Sequence, residues 1–391
     1  MVSIASIGSS PSLYILQFCT PNSSKEEKKK EIKLKMASVD EASDSFTPFE
    51  FDTTSKVAAD SSPLKSVPSK FIFSNDRTAL TCDSLPTVDF SALVGGDPHQ
   101  RSKAVHDLAT ACREWGFFIL VNHGVADSLM DALFRAVKEF FSLSDSEKKQ
   151  YEAKSVSDPI KYCGNFNVTT SNRSFTLWRE NLKFYVHPNF YCPHRPQLLR
   201  DVVLEYIRKV ATKLIEDVCE ALELNQHYVD EILKMDSSLQ LFAANYYPRC
   251  PQPDQAIGLP PHTDPGLLTF LIHNGVGGLQ IEHDGKWFHT DSPHNSILIN
   301  AADQLEIFTN GRFKSVKHRA VVNEERERIS IVVANGPSGE AVMGPAAALV
   351  EKDGSAKYNA MKYEEYLESQ FTNTHVDGKS FLEQQMIYIQ R

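Results

Sequence analysis

The chain has 391 residues, 41% hydrophobic and 23% charged, an ordinary balance for a globular protein able to bury a large core. Its net charge of −9 at pH 7 argues against nucleic acid, which calls for a basic surface, and favours a small-molecule partner. The seven cysteines are odd in number and scattered without a CxxC pair, which speaks against a disulfide framework or zinc finger and fits a reducing compartment.

Residues 1–66 are rich in Ser, Thr, Lys, Asp and Glu, with sparse, aperiodic apolar positions, so a disordered N-terminal extension is expected. Met36 opens "MASVDEASDSF" like a second start, which would make residues 1–35 an upstream extension. The apolar stretch "YILQFC" (14–19) is too short for a secretory signal and is followed by "KEEKKKEIKLK", which is too acidic for a transit peptide. No apolar run reaches the roughly 18 residues of a membrane span. A cytoplasmic protein without membrane attachment is expected.

Ordered structure is expected from "LPTVDFSAL" (85–93), where Val88 and Phe90 alternate with polar residues as in a strand. "RSKAVHDLATACREWG" (101–116) places Ala104, Leu108, Ala111 and Trp115 at helical spacing, with Gly116 as the stop. "FFILVNHGV" (117–125) is a buried-strand pattern, and 126–151 reads as one amphipathic helix ended by a Ser/Asp cluster. The strongest helical periodicity runs over 198–224. From Leu239 onward, short apolar runs alternate with turn signals, and Asp284-Gly285 predicts a type I′ hairpin. Helices first and short strands after give an α+β class with an antiparallel sandwich or barrel core. The expected divisions are 85–225 as an N-terminal helical region, 239–340 as the β core, and 341–391 as a C-terminal helical segment and tail.

Within that core, "LPPHTDPGLLTFL" (259–271) sets His262 and Asp264 two residues apart. In extended backbone, positions i and i+2 share a face, so imidazole and carboxylate converge. His318, in the strand-like run "FKSVKHRAVVN", would complete the two-histidine, one-carboxylate set that favours non-haem Fe(II) and leaves positions open. With 13 histidines in the chain, a surface or satisfied core role competes with ligation at each of them. Arg328 and Ser330 again share a strand face and could grip a carboxylate through a bidentate guanidinium and a hydroxyl. A surface arginine in "NEERERIS" is the competing reading.

Taken together, "REWGFFILVNHGV" (113–125), "NYYPRCPQP" (245–253), "HTDPGLLTFL" (262–271), "GLQIEHDGKW" (278–287), "LINAADQLEIFTNGRFKSVKHRAV" (298–321) and "RISI" (328–331) are highly specific. Over residues 85–370 the chain resembles the plant 2-oxoglutarate- and Fe(II)-dependent dioxygenases, which include flavanone hydroxylases, anthocyanidin synthase and gibberellin oxidases. The resemblance implies a double-stranded β-helix, or jelly roll, flanked by helices. It implies Fe(II) held by His262, Asp264 and His318, and 2-oxoglutarate held by Arg328 and Ser330 with Tyr247 and Asn245. O2 is the oxidant, ascorbate a supporting reductant, and succinate and CO2 the co-products. Asn300 and Asp303 are expected to support the ligands rather than to ligate, and His123 to be structural.

The implied reaction is hydroxylation, desaturation or epoxidation of a mostly apolar plant specialised metabolite such as a flavonoid, coumarin, terpenoid or alkaloid, by a monomer. A hormone-catabolic oxidase (gibberellin, auxin or salicylate type), a non-catalytic ligand-binding member and a zinc hydrolase are the alternatives. Many relatives carry an aromatic residue where this chain has Ala334, six positions past Arg328. Ala334 should share the inward face of Arg328, Ser330 and Val332 and enlarge the substrate end. Trp178, Phe184 and Tyr185, in "SFTLWRENLKFYVHP" (174–188), are candidate substrate walls, with core packing as the even alternative.

Overall fold

The computed structural model describes residues 65–73, 78–81, 85–155, 158–164, 167–169, 174–196, 204–372, 382 and 385–386. The extension expected over 1–66 lies outside them except for its last two residues. The first half runs β1 (Leu80–Thr81), β2 (Thr87–Asp89), α1 (Phe90–Gly95), α2 (Pro98–Glu114), β3 (Phe117–Val121), α3 (Asp127–Ser142), α4 (Asp145–Lys149), β4 (Ile160–Cys163), β5 (Asn167–Thr169), β6 (Ser174–Thr176), β7 (Glu180–His187), α5 (Leu204–Ala221) and α6 (Gln226–Leu233). The second half runs β8 (Ser238–Tyr247), β9 (Leu259–His262), β10 (Leu268–His273), β11 (Leu279–His283), β12 (Lys286–His289), β13 (Ile297–Ala301), α7 (Asp303–Phe308), β14 (His318–Ala320), β15 (Arg328–Ser338), β16 (Val342–Met343), α8 (Ala347–Asp353), β17 (Met361–Lys362) and α9 (Tyr363–Thr372).

Two sheets form the core of this α+β jelly roll. The larger has the order β2-β3-β13-β10-β15-β8-β7-β4, and the smaller β1-β12-β11-β14-β9. One face of the large sheet carries Leu182, Phe184, Phe242, Ala244, Phe270, Ile299, Ile331 and Val333, packed with Leu108, Phe140 and Leu214 from α2, α3 and α5 into the main hydrophobic core. Those apolar faces are what hold the helices on the sheet, at roughly 25 cal/mol per Å² of apolar area buried. The opposite face looks toward the small sheet. From the first half, β3 pairs with β13 and β7 with β8, with β2 and β4 outside them, so the two halves share one sheet.

Local chemistry accounts for where the elements differ from the sequence expectation. Helix α2 starts at Pro98, earlier than expected, because Asp97 caps it and Gln100 bonds back to the Asp97 N–H. The helix expected over 126–151 is two helices. Ser144 and Glu147 form a second capping box, so the Ser/Asp cluster starts α4 as well as ending α3. The segment 85–93 is strand only to Asp89, whose carboxylate then caps α1. Asp284 and Gly285 both have positive φ, joining β11 and β12 as the predicted hairpin. Packing also begins before residue 85. Val67 and Phe71 are buried against Trp178 and Tyr247, and the Val67 N–H donates to Gln252. No described helix is long and apolar enough to cross a membrane.

Gly116 links α2 to β3 at φ +63°, and a Cβ there would meet the Lys314 carbonyl at 2.3 Å and Val316 at 2.7 Å. Lys314 and Val316 lie on the segment that leads to His318. Gly116→Ala should therefore cost about 1–3 kcal/mol, since it combines a left-handed alanine with backbone overlap. Denaturant unfolding checks this; an unchanged midpoint would show that the 314–316 segment yields freely.

Candidate metal and co-substrate centre

Strands β9 and β14 are antiparallel neighbours, and their register sets His262 directly opposite His318. The two rings lie 4.2 Å apart between centroids. Each imidazole has its Nδ1 against a backbone carbonyl, Pro260 at 2.9 Å and Val316 at 3.1 Å. Those carbonyls accept only from a protonated Nδ1, which leaves both Nε2 lone pairs for a ligand. Asp264 follows β9 in a turn, and its Oδ1 stands 3.7 Å from each Nε2. Among the described residues this is the group whose donor atoms converge closely enough to hold a metal ion.

The turn carrying Asp264 is fixed from several sides. The Asp264 carbonyl accepts from the Asp303 N–H at the start of α7, and Gln304 N–H donates to the Gly266 carbonyl. Asn300 donates to Asp264 Oδ2 at 3.0 Å, leaving Oδ1 facing the histidines. Asp303 accepts from Thr263, Ser315, Tyr366 and Gln370, drawing the ligand turn, the His318 approach and α9 onto one buried carboxyl. Burial pushes Asp303 up to about 7 against those hydrogen bonds. Burial also opposes the Asp264 charge, but His318, His262 and Asn300 hold its carboxyl below the usual range. Burial, with His318 beside it, depresses His262, so it is the neutral, metal-ready imidazole at pH 7. Two imidazole nitrogens and one carboxylate oxygen on one side of a point fit Fe(II) with open positions.

Beside this triad, Arg328 pairs in register with Tyr247, and Ser330 with Asn245. Asn245 Nδ2 donates to Ser330 Oγ at 3.3 Å, so these side chains share the inward face. Arg328 is only 1% exposed, lies 5.1 Å from the Tyr247 ring centre, and has no carboxylate partner among the described residues. Its Nε is buried without an acceptor. An arginine stays charged wherever it is put, so this site calls for an external anion.

The other sequence candidates separate by strand parity. Tyr185 and Ala334 lie on the inward face in register with Leu241 between them, and all three are partly exposed. Phe184 points the other way, stacked on Phe242 at 4.6 Å in the helix-packed core. Trp178 is fully buried beneath Tyr247, with its indole N–H on the Pro248 carbonyl. Core packing accounts for both. His123 bonds the Asn295 carbonyl and the Val125 N–H and is not in the converging group. The sequence reading passed over Arg179, whose buried guanidinium donates to Asn245 at 3.0 Å, and Lys183 on the same inward face. Their signal was the odd-numbered parity of β7, legible only once β7 is known to pair with β8.

Comparison with known proteins gives the same answer as the geometry. The family model described as 2OG-Fe(II) oxygenase superfamily matches residues 238–337, and one described as non-haem dioxygenase in morphine synthesis N-terminal matches 85–201. The chain is 39% identical to 2-oxoglutarate-dependent dioxygenase 19 of Oryza sativa subsp. japonica, over 76% of this chain and 89% of the relative. Flavanone 3-dioxygenase 3 of the same organism is 33% identical, over 76% of this chain and 92% of that one. The crystal structure of JOX2 in complex with 2OG, Fe and JA superposes with a TM-score of 0.72 at 27% identity, covering 84% of this chain and 96% of that chain.

Arg328→Ala should weaken 2-oxoglutarate binding by about 2–5 kcal/mol, because it removes the fixed cation a buried carboxylate needs. Anaerobic titration of 2-oxoglutarate onto the metal-loaded protein measures this. Unchanged affinity would transfer the role to another cation.

Proposed function

The chain belongs to the 2OG-Fe(II) oxygenase superfamily, and from that premise we propose that it oxidises an apolar plant metabolite held on the inward face of β7, β8 and β15. The enzyme is an Fe(II)- and 2-oxoglutarate-dependent dioxygenase. When bound, the iron supplies O2 activation, with 2-oxoglutarate as the electron donor that leaves as succinate and CO2. His262, Asp264 and His318 would hold the metal. Arg328, Ser330, Tyr247 and Asn245 would bind and orient the distal carboxylate of 2-oxoglutarate. Phe117, whose ring lies edge-on to His318 at 5.4 Å, closes the apolar side of the site and helps exclude water.

One observation carries the substrate reading. Along β15, Ile331, Val333 and Asn335 are buried while Val332 and Ala334 are partly exposed, and along β7 Lys183 and Tyr185 are partly exposed between buried neighbours. The inward side chains therefore border open space, whereas the outward ones are packed. Ala334, Val332, Leu241 and Tyr185 give that space a largely apolar wall with a small residue at its far end. Flavanone 3-dioxygenase 3 and other plant dioxygenases among the relatives support a plant-metabolite substrate. The zinc-hydrolase alternative gives the buried Arg328 no work.

A monomer in the cytosol is the proposed setting, and seven scattered cysteines without a CxxC pair support a reducing compartment. Sedimentation showing a stable dimer, or recovery of the chain inside plastids, would contradict it.

Aerobic incubation with Fe(II), 2-oxoglutarate and a plant-metabolite library, read by mass spectrometry, tests the activity. A substrate gaining an oxygen or losing two hydrogens, in step with succinate, is expected. Succinate without any oxidised product would favour the non-catalytic or uncoupled reading. With a bulky substrate in hand, Ala334→Phe should weaken its binding by about 1–3 kcal/mol through overpacking. If affinity and product ratio both stay unchanged, Ala334 does not border the substrate.

A further inference from the structure

The inward face of the large sheet carries positive charge that the chemistry above does not use. Lys161 on β4 and Lys183 on β7 are direct cross-strand partners, and Asn181, one inward step from Lys183, donates to Asn245. That bond fixes the face: Asn181, Lys183 and Tyr185 look toward the metal side, while Leu182 and Phe184 look into the core. Arg179, two residues before Asn181, is buried on the same side, with its Nη1 on Asn245. Like charges placed directly opposite on a sheet destabilise it, and partial burial makes that worse.

The neighbouring acids leave Lys183 without a partner among the described residues. Asp158 lies close enough to act on Lys161, whose ammonium also sits 5.8 Å from the Tyr185 ring centre. Glu180 is on the outward face, bonded to Lys148 and Tyr162. Asp264 attracts Lys183 but belongs to the metal triad. Lys183 itself is half-buried and has no hydrogen-bond or ion-pair partner among the described residues. Burial, with Arg179 and Lys161 adding like charge, pulls its ammonium down to about 8. A cation so placed, half-open and without such a partner, is available to an anion from outside.

We propose that Lys183, with Lys161 opposite it, binds a carboxylate of the organic substrate and so selects apolar acids over their neutral analogues. Arg328 and Ser330 lie two strands away across β8 and take the co-substrate, so the two carboxylates have separate cations. Ala243 stands beside Lys183 on β8, and Val332 follows on β15, which leaves space over the lysine and an apolar floor beyond it. Lys183 would then be a specificity residue: it fixes where the acidic end of the substrate sits. The proposal rests on the oxygenase reading and narrows its substrate to carboxylate-bearing molecules.

The test uses matched pairs: 3-phenylpropionate, 2-naphthylacetate and dodecanoate, each against its methyl ester. Binding is measured without O2 on the full chain loaded with Fe(II) and 2-oxoglutarate, for wild type, Lys183→Gln and Lys183→Arg. Wild type should prefer at least one acid over its ester. Lys183→Gln should reduce that preference by at least about tenfold, and Lys183→Arg should restore most of it. Equal or undetectable binding of all acids and esters by wild type would overturn the proposal, as would a preference that survives Lys183→Gln. A Lys183→Gln variant that loses 2-oxoglutarate instead of the acid would reassign the lysine to the co-substrate. Succinate release by aerobic wild type separately tests the oxygenase reading, so the two can fail independently.

Discussion

The pairing of β9 with β14 is the constraint on which the site depends. It puts His262 opposite His318, and the backbone carbonyls of Pro260 and Val316 then decide which nitrogen of each ring is left to bind. Everything nearby serves that alignment. Asn300 turns the Asp264 carboxylate, and the buried Asp303 ties the ligand turn to Ser315, Tyr366 and Gln370. The C-terminal helix α9 thus acts on the metal ligands through one carboxyl group. It is more than an appendage to the β core.

A second rule, the two-residue period of a strand, divides function from packing across the large sheet. Adjacent residues meet opposite fates. Phe184 stacks in the core while Tyr185 faces inward and is partly exposed, and Ile331 is buried while Val332 is partly exposed. The same face that carries Arg328 and Ser330 also carries Lys183 and Lys161 at its far strands. Cations are costly in a half-buried sheet. On the outward side the buried Lys148 is matched by Glu180, whereas the inward cations are not so matched, and that suits the inward face to anionic ligands.

Much of this was legible in the sequence because it depends on short-range patterns. His262 and Asp264 are two apart, Arg328 and Ser330 are two apart, and Asp284-Gly285 can make only a tight turn. The motif set then identified the fold. What escaped depends on pairing between distant segments. Nothing local shows that β7 joins β8, so Phe184 and Trp178 looked as available to substrate as Tyr185, and Lys183 drew no notice. The second helix after Ser142 escaped because the Ser/Asp cluster reads as an end, whereas the Ser144–Glu147 capping box also makes it a start. The packing of Val67 and Phe71 escaped because the apolar residues of 64–73 follow neither a helix nor a strand period.

The central claim is that three side chains, brought together by one strand pairing, make a catalytic Fe(II) site. Metal content and succinate formation, measured side by side on wild type and on His262→Ala, Asp264→Ala and His318→Ala, test it most directly. Wild type should bind Fe(II) stoichiometrically and release succinate, while each variant stays folded and loses both. Near wild-type turnover in any of the three would remove that residue from the site and contradict the account.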